Sequence, residues 1–382
     1  MIHTKDYKGV VKLGISSILK KENIKVVRQL NSEEVNILSR DIAIKLCLAF
    51  PEHNLNRQDL SYSFSSLNMY LAELGDDSSG AKYLSQNNSI YFNKDIDFDK
   101  IPDVAMHECI HFIQSSKISE NKRMGIYNFR SGLALNEAGV QIMASEANMS
   151  NISEEKYFDI FLKTNSPNYY PLECALLNQM AYFTGTFPLY HSIINSDDIF
   201  KNTFISKFNK RIYNIISNKL DKLLHLETEL NYYIYELQYA DNIRNIKSLN
   251  KLIQNQKSNI TKLFYEIQNF IIENCFICEF NSIRNLEDLT EFKFSLYNFK
   301  ELIGHDNNYN FYNNFYCDMM NKLETKKEEV EKFGEISLFE DEVSTALAII
   351  PKTKYAFKFA NTFIYKLKKL FRANKSEREY LS

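Results

Sequence analysis

Proline and glycine are scarce in this chain, six and ten among 382 residues, so few positions break a helix. Cysteine is sparse too. Cys47, Cys109, Cys174, Cys275, Cys278 and Cys317 are too few to staple a protein of this size, which excludes a disulfide framework and fits a reducing, cytoplasmic setting. An excess of either charge is also lacking. The net charge of -2 gives no overall attraction to nucleic acid. The first 25 residues have charges scattered through them and no apolar core of signal-peptide type, so the chain is expected neither to leave the cell by the general route nor to span a membrane. What is present is a composition 45% hydrophobic and 25% charged, enough for one large domain or two ordinary ones.

Apolar residues recur mostly at helical spacing. The segment from Ile24 to Leu30, IKVVRQL, reads as a short strand. A helix is expected to start after an Asn31/Ser32 cap with Glu34 in its first turn, and to stop at Phe50 before Pro51. A second is expected from Leu60 to Leu74, ending at Gly75. AKYLSQ, a turn at Asn87-Asn88 and SIYFN read as a hairpin. Pro102 then sits in the first turn of the next helix, where its missing N–H costs little.

That helix contains DVAMHECIHFIQ, Asp103 to Gln114. Each residue advances a helix by about 100°, so Ala105, Cys109, Phe112 and Ser116 align as one stripe while His107, Glu108 and His111 lie on the other side. Two histidines four apart can offer ring nitrogens to one ion, and Glu108 between them can accept a proton from a water beside it. By chance the pattern would arise in only about 0.02 of chains of this composition. SIYFN supplies a strand edge for an extended peptide, and the helical segment Ser131 to Ala147 presents Asn136-Glu137, a candidate third ligand.

HECIH together with LNEAGVQ resembles the gluzincin group of zinc metallopeptidases over roughly Ser89 to Ala147. The resemblance implies a compact zincin-like core, zinc held by His107, His111 and Glu137, and Glu108 as general base. Gln141 stands where that group often has an acidic or hydroxyl residue supporting a ligand histidine. A metzincin pattern is excluded, since its glycine and third histidine would fall on Gln114 and Lys117. Peptide hydrolysis also wants a donor for the oxyanion, for which Tyr182, Tyr190 and His191 are the candidates, with Glu146 and Glu173 as reserve metal ligands.

Beyond residue 195 the signal is structural. Ile216, Leu220, Leu223, Leu230, Ile234 and Leu237 form one seam interrupted by Glu227, and Ile246 to Phe270 form another with Gln256 in it. The phase changes near Asp241-Asn242, which predicts an antiparallel helical hairpin, with one continuous stuttered helix as the rival. Cys275 and Cys278 read as packed thiols. Lys352 to Lys375 hold eight Lys/Arg and no acid, with Phe359, Phe363, Leu367 and Leu370 on one stripe. Such a helix can meet an anionic membrane or an acidic partner, or pack on its own protein. The expectation is a predominantly helical α+β protein: a metallopeptidase domain over 1–195 acting on a peptide or protein, and a helical extension over 196–382. The rival is a binding or regulatory protein that keeps metal structurally.

Overall fold

The computed structural model describes residues 17–75, 80–116, 123–305 and 307–333. It is a predominantly helical α+β fold with one small mixed sheet. β1 (Ile24–Gln29), β2 (Asn68–Leu74), β3 (Ala81–Leu84) and β4 (Ser89–Asn93) stand in the order β1-β2-β4-β3, with β2 and β4 parallel and the outer pairs antiparallel. α1 (Ser32–Ala49) begins with a capping box: the Asn31 side chain accepts the N–H groups of Glu33 and Glu34, and Glu34 accepts the N–H of Asn31. Phe50 ends it, and Pro51 opens a single turn.

The helix expected over Leu60 to Leu74 is instead two elements, α2 (Arg57–Ser65) and β2. Met69, Ala72 and Leu74 are buried in β2, which lies between β1 and β4. Pairing on both edges outweighs the helix preference of Leu, Ala and Glu there. The hairpin of β3 and β4 forms as expected, with Asn88 at positive φ in its turn. SIYFN is not the free edge, however. β4 is interior, and β3 is the edge strand.

α3 (Ile101–Ser115) carries the histidine motif between the sheet and the helices α1, α4 (Leu133–Ala147) and α6 (Thr186–Asn195). It is buried nearly all round rather than on one stripe: Val104 through His111 are all buried, whereas Phe112 is half-buried and Ser116 exposed. β5 (Ser153–Tyr157) and β6 (Ile160–Thr164) form a separate hairpin before α5 (Pro171–Thr184).

α7 (Ile199–Phe208), α8 (Lys210–Gln238) and α9 (Ile243–Ser282) follow. α8 and α9 are distinct helices, which decides against the continuous-helix rival. Lys219 pairs with Glu266 and Gln256 donates to Glu229 at 2.8 Å, so the contacts run in opposite directions along an antiparallel hairpin. α10 (Leu286–Phe299) and α11 (Asn307–Phe333) complete the described helices.

One compact unit takes in the described residues through Glu279 together with Leu296–Tyr316; the other takes in Phe280–Ser295 and the described residues from Cys317. The first therefore runs through the boundary expected at residue 195. The reason lies in α8: its Asp221 accepts the N–H groups of Gly132 at 2.8 Å and Ala134 at 2.9 Å, capping α4. Gly132, at the N-cap position, has no side chain to do this itself. No helix of the described residues is long and apolar enough to cross a membrane. The basic segment at 352–375 lies outside the described residues.

Candidate metal centre

α3 and α4 bring three donor atoms together. His107 Nε2 and His111 Nε2 are 3.0 Å apart, and each is 3.4 Å from Glu137 Oε2. A tetrahedral ion with bonds of about 2.0–2.1 Å separates its ligands by about 3.3–3.4 Å, so these side chains fit a metal ion with little movement. Among the described residues this is the one cluster of three or more His, Cys, Asp or Glu groups able to hold one.

The neighbouring amides fix which ring nitrogens would face an ion. His107 Nδ1 lies 2.9 Å from Gln141 Oε1, and His111 Nδ1 lies 2.9 Å from Gln114 Oε1. An amide oxygen only accepts, so each Nδ1 carries the hydrogen and each Nε2 keeps its lone pair for a ligand bond. Gln141 in turn donates to Ser145 Oγ at 3.1 Å. Gln114 and Asn136 exchange amide bonds at 3.0 and 3.3 Å, and Asn136 also accepts the N–H of Ile126. Gly125 lies against this network: a Cβ there would sit 2.1 Å from Asn136 Oδ1 and 2.2 Å from Gln114 Nε2. Its φ of 57° also favours glycine.

Charge follows the same geometry. Burial works against the His111 cation, but Glu137 beside it outweighs burial and raises the pKa to about 9. Burial likewise opposes the Glu137 anion, and the two histidines still hold it well below the usual carboxylate range. The site without metal is an ion pair.

Glu108, next to His107, accepts the backbone N–H of Tyr83 at 2.8 Å. Gly80 bonds Asn93 across the β3–β4 ladder, so by alternation Lys82 faces β4 and Tyr83 faces outward. The carboxylate is therefore fixed against the outer edge of the sheet.

Sequence reasoning did not single out Tyr170. It precedes Pro171 at the start of α5 and holds a left-handed φ of 50°, a strained conformation for a tyrosine. Its ring stacks on His107 with centroids 6.0 Å apart, and its hydroxyl faces Glu137. Burial, then Glu137 and Glu108, pushes that hydroxyl well above its ordinary pKa, so it stays a donor. An aromatic followed by proline at a helix start is the only local signal, and it is a weak one.

The contacts described for the expected oxyanion donors are with groups outside the triad. The ring of Tyr182 packs on Phe183 and Phe299, the hydroxyl of Tyr190 donates to Glu146, and His191 Nδ1 lies 2.9 Å from Asp197. Of the reserve ligands, Glu146 accepts from Tyr190, and Glu173 is wholly buried facing Glu227. Cys109 is buried, with burial pushing its thiol pKa up, and Cys275 and Cys278 are unbridged. Compared with family models, curated proteins and solved structures, the chain matches none.

Proposed function

We propose that this protein is a zinc-dependent peptidase. The observation that carries the reading is the spacing of the three donor atoms, 3.0, 3.4 and 3.4 Å, with both histidines turned so that Nε2 is the nitrogen offered to an ion. His107, His111 and Glu137 would hold the ion, which when bound supplies an acidified water and a Lewis acid for the scissile carbonyl. Three protein ligands suit a catalytic zinc, whereas the rival structural role calls for a closed set of four.

Glu108 takes the proton from the attacking water and delivers it to the departing amine. Its bond to Tyr83 N–H limits rotation of the carboxylate and keeps it at the strand edge. An extended peptide adding to the outer edge of β3 would place its backbone beside that base. Tyr170 donates to the developing oxyanion, for which its hydroxyl must swing from Glu137 to the substrate oxygen.

The test is elemental analysis for zinc beside a His107→Ala/His111→Ala double variant, followed by peptide-library cleavage. Zinc near one per chain in the parent, none in the double variant, and cleavage abolished by Glu108→Gln at unchanged zinc content is the expected outcome. Full cleavage by Glu108→Gln would remove the general-base role, and a folded parent that takes up no zinc would remove the reading altogether.

A further inference from the structure

Two buried carboxyl groups take no part in this chemistry. Glu173 stands in the first turn of α5, three residues after Tyr170, and is wholly buried; Glu227 is buried on α8. The two carboxyls face one another, with neither Glu173 oxygen in a well-formed hydrogen bond. The titratable groups facing the pair are Tyr157 of β5, Cys174 and Tyr170. Among the described residues no Lys, Arg or His pairs with either carboxyl.

Two carboxylates in contact without a cation cannot both ionise in a buried site. Holding a proton between them removes the repulsion, because the O–H of one then donates to the other. Burial raises the pKa of both groups, and for Glu227 the charge of Glu173 adds to it.

The location gives the pair its consequence. The Tyr170 carbonyl accepts the Cys174 N–H at 2.9 Å, so Tyr170 and Glu173 belong to one helical turn. A tyrosine at φ 50° keeps that conformation only while its surroundings enforce it. Glu173, on the same helical turn and facing Glu227 of α8, adds one such restraint to the His107 ring and Glu137.

We propose that Glu173 and Glu227 form a proton-holding clasp that positions Tyr170 beside the metal centre. Glu227 is thereby a positioning residue contributed by the helical half of the chain. The effect of the clasp on catalysis rests on the peptidase reading; its effect on Tyr170 does not.

The experiment is NMR of the full-length protein with ¹³C-labelled tyrosine rings, followed from pH 5 to 10, the Tyr170 signal being identified by its loss in Tyr170→Phe. In Glu227→Gln an amide N–H donates to Glu173 at every pH. The parent Tyr170 signal is expected to shift with a midpoint that is missing from Glu227→Gln; Glu173→Gln provides the same comparison should the first variant not fold.

Unfolding supplies the sign. A carboxyl whose folded pKa is raised contributes stability that is complete below its unfolded value, near 4.5, and is lost as pH rises through the folded value. The parent's unfolding constant should therefore climb by up to about tenfold per pH unit more steeply than that of Glu227→Gln above that point. Equal slopes would overturn the shared proton. Unequal slopes with an identical Tyr170 pH course in parent and variants would overturn the positioning role. Loss of the alkaline limb of peptide hydrolysis in Glu227→Gln would extend the clasp to catalysis, whereas a parent that hydrolyses nothing would refute the peptidase reading and not the clasp.

Discussion

Replacing Asp221 by alanine removes the acceptor for two backbone N–H groups at the start of the helix that carries Glu137. A hydrogen bond to a charged acceptor contributes about 1.5–3 kcal/mol, and loss of an N-cap costs about 0.5–2 kcal/mol. The two bonds share one carboxylate, so their losses do not add in full. The expected destabilisation is about 2–4 kcal/mol, or a fall in Tm of about 2–5 °C for a chain this long. Asp221→Asn keeps one acceptor oxygen and should lose about half as much. Ala134 lies three residues before Glu137, so fraying of this turn moves the ligand, and zinc affinity should fall together with Tm. The assays are thermal unfolding of the metal-free protein and zinc titration against a competing chelator. A Tm loss below about 1 °C, or a Tm loss with unchanged zinc affinity, would refute the idea that α8 holds the ligand helix in place.

Protons compete for the same site. With the His111 pKa raised to about 9, zinc binding at pH 7 displaces close to one proton, and affinity should rise about tenfold per pH unit up to about 9. Calorimetry in buffers of different ionisation enthalpy reads the proton count directly. Without metal the trend reverses: the His111–Glu137 pair contributes stability that is full between about pH 4.5 and 6.5, is lost as pH rises through about 9, and falls again in acid as Glu137 protonates. Gln141→Ala, which removes the acceptor for His107 Nδ1, should weaken zinc binding about 10- to 100-fold, and Gln141→Glu should restore it; equal affinity in all three proteins would deny Gln141 its orienting role. Gly125→Ala drives a methyl into the amides behind His111 at an unfavourable φ and should cost about 2–4 kcal/mol, measured by urea unfolding.

Local geometry was legible in the sequence and long-range partnership was not. HECIH announces itself because i, i+4 geometry is a property of one helix, and Asn136-Glu137 because it lies on the next helical segment in the chain. β2 was misread because its neighbours, Ile24 to Gln29 and Ser89 to Asn93, are distant in sequence, and their pairing rather than residue preference makes it a strand. Glu227 was visible as a polar interruption of an apolar seam. What it meets, a glutamate 54 positions earlier in the chain, is no property of that seam. Tyr170 has the same difficulty: its backbone conformation and its ring's position over His107 both come from the tertiary fold.

The cap from Asp221 also has a consequence in time. As the chain leaves the ribosome, His107, His111 and Glu137 emerge first, but the helix bearing Glu137 has no acceptor for its first N–H groups until the middle of α8 follows. The candidate metal centre would thus mature late in synthesis, and a nascent chain released near residue 195 would carry all three candidate ligands and still lack a firm place for an ion.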